Sequence, residues 1–339
     1  MRHLAYEKVK DEEEGVVAAC ARTLALVACE DALRELREGY GTDKREEVLA
    51  GVCAAPGIEP LELPAVLKRV KRWLLPCIPT FARPYVRSLE PLRMMTELTK
   101  LEVGDFLGGG CPLVADLSPL SVLANLGRLD LTGCTGVTDL SPVSTLTKLG
   151  RLDLIGCTGV TDLSPLSALA KLESLHLIGC TEVTEISSLS GLKLLKVLDL
   201  TNCSGVIDLS ALGGLEKLER LHLGRCKGLT DLWPLSGLEK LEGLVLSRCT
   251  GVTDLWPLSG LEKLAELDLE GCTGVRDLSP LSGLEKLVVL SLRGCTGVMD
   301  LSPLSGLAKL EALDLMGCTG VRDLSPVEKL PRLKDLIKP

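Results

Sequence analysis

The stretch LGRLDLTGCTGVTDLSPVSTL, residues 126–146, decides how the chain folds, because versions of it recur along most of the sequence. Its landmark is Cys134. Cys111, Cys134, Cys157, Cys180, Cys203, Cys226, Cys249, Cys272, Cys295 and Cys318 follow one another at intervals of 23 residues without exception. A fixed period of this length means small supersecondary units that bury their apolar faces by stacking on neighbours. Within the unit, Leu129 and Leu131 stand at i and i+2. A short strand turns both inward and leaves Arg128, Asp130 and Thr132 outward. The cysteine follows the strand, where the backbone turns in, and Gly136 is read as permitting the bend. Asp139-Leu140-Ser141-Pro142 reads as a turn plus helix cap, with Ser141 at the N-cap and Pro142 at the first helical position. Eight of the ten units keep that proline, and Ser188 and Ala211 replace it in the other two. The fold class this predicts is α/β: a curved parallel sheet on the concave side, with strands about 4.7–4.9 Å apart, and short helices or 3₁₀ turns outside.

The pattern L-x-x-L-x-L-x-x-C-x-x-V resembles the leucine-rich repeat, over ten units between about residues 100 and 330. Units reading CTGVTDLSPL resemble the large cysteine-bearing leucine-rich-repeat families of kinetoplastid protozoa. Their LSPL segment is similar to the internalin type, and the Cys-x-x-Val-x-Asp piece to repeats of F-box ubiquitin-ligase adaptors. The resemblance implies a curved solenoid that binds protein partners and brings neither catalytic residues nor a cofactor. Other leucine-rich repeats often place asparagine at the cysteine position; a thiol is a weaker donor suited to a drier core.

Two regions are expected: a helical N-terminal region over 1–96 and the solenoid over 97–339. Helix-like periodicity covers 13–39, 43–54 and 61–75, broken at Gly39-Tyr40-Gly41 and Ala55-Pro56-Gly57. The first repeat is degenerate, with Phe106 and Gly108 at the strand positions, and Leu330, Leu333 and Leu336 begin an eleventh. No apolar run approaches the roughly 20 residues of a membrane span. The apolar stretch from Val16 to Cys29 contains Arg22 and lacks a basic lead, which argues against a secretory signal. The fourteen cysteines are therefore read as reduced thiols, those of the ladder buried, in an intracellular and cytoplasmic protein.

The chain is 46% apolar but only 2% aromatic, so leucine must fill the core. Residues 1–95 hold 15 basic and 15 acidic side chains, so the remainder carries the whole net charge of −8. That sign disfavours nucleic acid. One basic run, Lys68, Arg69, Lys71 and Arg72 before Trp73, can touch nucleic acid or anionic lipid, or form the wet face of a helix. The three histidines, His3, His176 and His222, lie beside no activatable nucleophile, and there is no phosphate-binding glycine motif and no C-x-x-C. The sequence thus points away from an enzyme.

Two candidate binding surfaces remain. Four residues before each cysteine the outward strand position reads Asp130, Asp153, His176, Asp199, His222, Val245, Asp268, Ser291 and Asp314. This column favours a basic protein partner. His176, Asp199 and His222 can in principle hold a metal, or simply relieve repulsion in a solvated ladder; no metal is expected. Beside it runs a mixed column with Arg128, Arg151, Arg220 and Glu266. The second surface lies on the outer flank. There Trp233 and Trp256 replace the serine that eight units carry before the proline, from Ser118 to Ser325. The segment Asp231–Leu241 recurs unchanged at 254–264, so a copied stretch explains the pair as well as a binding site does. The predicted function is a protein-binding scaffold or adaptor. The alternatives are a ubiquitin-ligase substrate adaptor, with an F-box-like helix pair near 61–75, or a structural part of a large assembly.

Overall fold

Alternating leucines make the strands, and leucines three apart make the turns between them. The structure, a computed structural model, describes residues 89, 92–93, 96–104 and 110–339. The helices expected at 13–39, 43–54 and 61–75, the basic run and Trp73 lie outside the described residues. The residues fall into two compact units. One runs to Leu149 and includes Asp153–Gly159; the other holds Gly150–Leu152 and Val160–Pro339.

In the first unit β1 (Lys100–Glu102) pairs in parallel with β2 (Arg128–Asp130), Leu101 opposite Leu129. This corrects the sequence reading, which seats the first strand at Phe106 and Gly108. Leu101 and Val103 are the buried i, i+2 pair. They stand 28 residues before Leu129 and Leu131, so five extra residues separate the strand from its turn. The strand β3 (Arg151–Asp153) follows at the regular interval, its Asp153 assigned to this unit and Arg151 and Leu152 to the other.

In the second unit eight strands follow in chain order. They are β4 (Ser174–His176), β5 (Val197–Asp199), β6 (Arg220–His222), β7 (Gly243–Val245), β8 (Glu266–Asp268), β9 (Val289–Ser291), β10 (Ala312–Asp314) and β11 (Asp335–Ile337). Each pairs in parallel with the next; Leu221, for example, sits opposite Leu198 and Leu244. The eleventh strand forms, as Leu336 predicts.

The outer segments are 3₁₀ turns, apart from a four-residue α-helix, α1 (Ser325–Glu328). The cause is visible in the spacing. Leu232, Leu235, Leu238 and Leu241 stand three apart, and the N–H of each of the last three donates to the carbonyl of the leucine before it at 2.9–3.0 Å. A period of three puts every one of them on the inner face of a 3₁₀ path, where an α-helix would rotate them away. Eight side chains of that repeat, from Leu218 to Leu238 and including Cys226, are at most 1% exposed. Each apolar burial is worth about 1.5–3 kcal/mol.

The turns start differently from the serine cap read in the sequence. The N-cap residue is a leucine, such as Leu140 or Leu232, or in one turn Ile186, and no cap side chain bonds to the turn. The aspartate one residue earlier does the work: Asp139 Oδ1 accepts the Ser141 N–H at 2.8 Å, and Asp277 that of Ser279 at 2.8 Å. Bonds from the serine hydroxyl, and then from its N–H, hold the Asp139 and Asp277 carboxyls below the usual range. The bend is also made by another glycine than Gly136. Backbone φ is positive at Gly133, Gly156, Gly179, Gly271, Gly294 and Gly317, each just before a cysteine. Gly136 is needed for close approach instead, since a Cβ there would lie 2.7 Å from the Pro112 carbonyl oxygen.

The ladder cysteines are buried and unbridged. Each thiol of the second unit from Cys203 to Cys318 donates to a leucine carbonyl 26 residues earlier, as Cys249 does to Leu223 at 3.0 Å. That carbonyl already accepts the N–H of its own repeat's cysteine, Cys226, at 3.1 Å, so the thiol fills its second lone pair. Burial pushes the thiols of Cys226, Cys272 and Cys295 up to about 12 and that of Cys249 up to about 11.

Candidate partner-binding surfaces

The outward strand position carries carboxylates that mostly bond back to their own chain. In the first unit Asp130 and Asp153 are 8% and 1% exposed. Asp130 Oδ1 accepts the Thr132 N–H at 2.9 Å, and Arg128 reaches Asp153 at 3.7 Å and Glu102 at 3.8 Å. Burial raises the Asp130 carboxyl above its ordinary range, against the pull of the Thr132 bonds.

In the second unit Asp199, 8% exposed, accepts the Thr201 N–H at 2.9 Å and faces His222 Nδ1 at 3.3 Å. Burial is the largest single influence on Asp199 and pushes it up, but the bonds from His222 and Thr201 together outweigh it and hold the carboxyl low. His176 Nε2 lies 3.0 Å from Ser174 Oγ. Asp268 and Asp314, both half-buried, accept the N–H two residues on at 2.8 Å. The aspartates therefore close the strand ends. Where histidine, valine or serine stands at His176, His222, Val245 and Ser291, that particular carboxylate bond is given up. Among the described residues no group of three or more His, Cys, Asp or Glu side chains is disposed to hold a metal ion. No helix of the described residues is long and apolar enough to cross a membrane.

The flank differs in kind. Trp233 and Trp256 open consecutive 3₁₀ turns, Trp233–Leu235 and Trp256–Leu258, and are 60% and 54% exposed. Their N–H groups still donate to Asp231 and Asp254, at 2.8 and 2.9 Å, so the aspartate cap of the repeat survives the replacement. Further exposed apolar side chains, Ile207 and Met299, stand on the turn segments that lead into such turns.

One set of residues escaped the sequence reading. The glycine before the cysteine is replaced in three consecutive repeats, and Asn202, Arg225 and Arg248 take the left-handed backbone at φ 63°, 65° and 61°. Aligning the repeats on their cysteines exposes the substitution, because the same position is glycine in the other seven.

No protein-family model and no curated protein matches the chain. Solved structures do. An internalin of Listeria monocytogenes strain 4b F2365 superposes with a TM-score of 0.55 at 23% identity, over 74% of this chain and 77% of its own. Internalin C2 of the same strain gives 0.47 at 29% identity, over 57% of this chain and 82% of its own. A leucine-rich-repeat protein of Leptospira interrogans gives 0.48 at 16%, over 74% and 75%. The first of these likenesses, together with the 23-residue unit of strand, buried cysteine and 3₁₀ turn, establishes that this chain has the leucine-rich-repeat fold.

Proposed function

We propose that the chain is a non-catalytic, intracellular protein-binding scaffold that seats its partner on the turn flank around Trp233 and Trp256. The observation that carries this is the exposure of the two indoles, more than half open to solvent on consecutive repeats. Eight other units place serine there. Tryptophan is enriched among interface residues whose loss costs most. The intracellular assignment draws support from the ten unbridged ladder thiols. On the strand face, half-buried Asp268 and Asp314 offer a smaller acidic contact to a basic segment.

The test compares proteins retained from a lysate by the full chain and by the double variant Trp233→Ser, Trp256→Ser, at matched thermal stability. A specific partner should be retained by the former and lose at least about 2 kcal/mol, or about thirtyfold in affinity, with the latter. Equal retention of every bound protein by the two would remove the flank from the function.

A further inference from the structure

We infer that the flank takes an acidic peptide segment of its partner, held by Arg225, Lys227, Arg248 and Arg276 with an apolar side chain resting on the two tryptophans. This assignment rests on the flank being the binding surface, and goes beyond it by fixing the partner's chemistry. It also reverses the basic partner that the strand-face aspartates suggest.

The argument begins with where the cations stand. Between the residue before each ladder cysteine and the fourth after it, the chain is mostly Gly, Thr and Val. The charged exceptions are Glu182, Arg225, Lys227, Arg248, Arg276 and Arg322. Four of the five cations thus fall on three consecutive repeats, and two of those repeats carry Trp233 and Trp256. Arg225, Lys227, Arg248 and Arg276 are all exposed. Arg248 pairs with Glu270 at 3.1 Å, while Arg225, Lys227 and Arg276 make no ion pair among the described residues. A group of cations on successive repeats, three of the four outside any such ion pair, on a chain of net charge −8 is a surface that an anionic ligand complements.

The backbone adds an independent observation. Arg225 and Arg248 occupy the left-handed region, which glycine enters freely and an arginine enters only with strain. Six equivalent positions solve the same turn with glycine. Strained residues persist where the side chain has a task. Here the strained backbone sets two guanidinium groups on successive rungs, where the N–H of Arg225 donates to Ser247 in the next repeat.

A peptide fits better than a phosphate polymer. The same turn segments end on exposed Asp231, Asp254 and Asp277. These three carboxylates stand five residues after their ladder cysteines, Asp277 directly after Arg276. A continuous polyanion meets repulsion from them, whereas discrete carboxylates spaced by uncharged residues can address the arginines and leave an apolar side chain for the indoles. Arginine also pairs bidentately with carboxylate.

Random dodecapeptides displayed on phage and selected on the full chain provide the test, with Arg225→Gly, Arg248→Gly as the decisive variant. Glycine restores the repeat's own residue, so this variant keeps or raises the melting temperature. The selected peptides should be rich in Asp and Glu around an apolar residue, and should bind the variant at least tenfold more weakly. Neutral or basic selected peptides, an empty selection, or unchanged binding to the arginine variant overturns the inference. If those peptides are lost with Trp233→Ser, Trp256→Ser but not with the arginine variant, the flank stands and the acidic partner falls. If neither variant changes binding, both fall. Arginine-dependent binding of a twelve-nucleotide single-stranded DNA more tightly than any selected peptide also overturns it, in favour of nucleic acid.

Discussion

Two neighbouring positions of the same repeat behave in opposite ways. Every ladder cysteine is present and buried, from Cys111 to Cys318. The residue just before it is glycine in seven repeats but Asn202, Arg225 and Arg248 in the other three. The interior position is fixed from several sides at once, by packing and by a hydrogen bond to a carbonyl that is otherwise half satisfied. The outer one is constrained only by backbone geometry, and that constraint can be overridden at a modest cost. The lesson is that in this array function is most readable where a residue departs from the unit against a local preference. The cysteines report the fold, and the strained arginines mark where we infer its use.

The largest expected effect breaks the interior side of the comparison. Below about pH 8.5 these thiols are protonated in folded and unfolded chains alike. Above it the unfolded chain sheds protons that the folded one retains, because burial lifts Cys226, Cys272 and Cys295 up to about 12 and Cys249 up to about 11. Stability is therefore complete below the unfolded pKa and falls as pH rises through the folded values. Each thiol contributes a slope of about 1.4 kcal/mol per pH unit, so four contribute about 5 kcal/mol per unit. Urea midpoints measured at pH 6.5, 7.5 and 9.5 should hold between the first two and drop steeply at the third. Replacing Cys226 and Cys272 by alanine should flatten that drop. A midpoint independent of pH across this range would mean that the thiols are not held in a dry interior.

Much of this contrast was legible beforehand, and the misreadings have local causes. The ladder, the inward leucines and the eleventh strand follow from a period of 23 and a side-chain alternation of two. The first strand was misplaced because residues 105–109 interrupt the period, leaving Leu101 and Val103 out of phase with the units behind them. The cap was misassigned because Asp139 and Ser141 are both capping residues with a leucine between them, and only geometry shows which one reaches back. The outer segments stayed open between helix and 3₁₀ turn, although the leucine spacing of three favours 3₁₀. That the strand-face aspartates fold onto their own strand ends could not be read, since the bond depends on the backbone angle of the residue between. The exposed tryptophans were visible as departures, while the arginines passed for ordinary surface charges, although aligning the repeats on their cysteines exposes them.

A smaller effect sharpens the outer side. A non-glycine residue in the left-handed region costs about 1–2 kcal/mol, against about 0.5–1 kcal/mol for the extra chain freedom of glycine. Arg225→Gly with Arg248→Gly should therefore raise stability by about 1 kcal/mol in total. Urea midpoints of the single and double variants check it, the singles adding to the double. A loss of more than about 1 kcal/mol per site would show that the arginine side chains hold the fold through their stems, as long cationic side chains can.

The smallest effect is the one that separates exposure from packing. If serine were the cap, replacing both tryptophans by serine would restore two caps and raise stability by about 0.5–2 kcal/mol at each site. The aspartates at Asp231 and Asp254 already accept the N–H of Trp233 and Trp256, and that bond belongs to the backbone of whichever residue stands there. The indoles are largely in water, so little apolar burial is lost with them. Serine adds only an exposed hydroxyl bond of the kind that Ser210 makes to Asp208 at 3.0 Å. Trp233→Ser, Trp256→Ser should thus leave stability within about 0.5 kcal/mol, the usual range for surface changes that break no structural feature. Thermal unfolding followed by circular dichroism decides it. A gain of 1 kcal/mol or more per site would restore serine as the cap. A comparable loss would place the indoles in the core and leave the flank without its anchor.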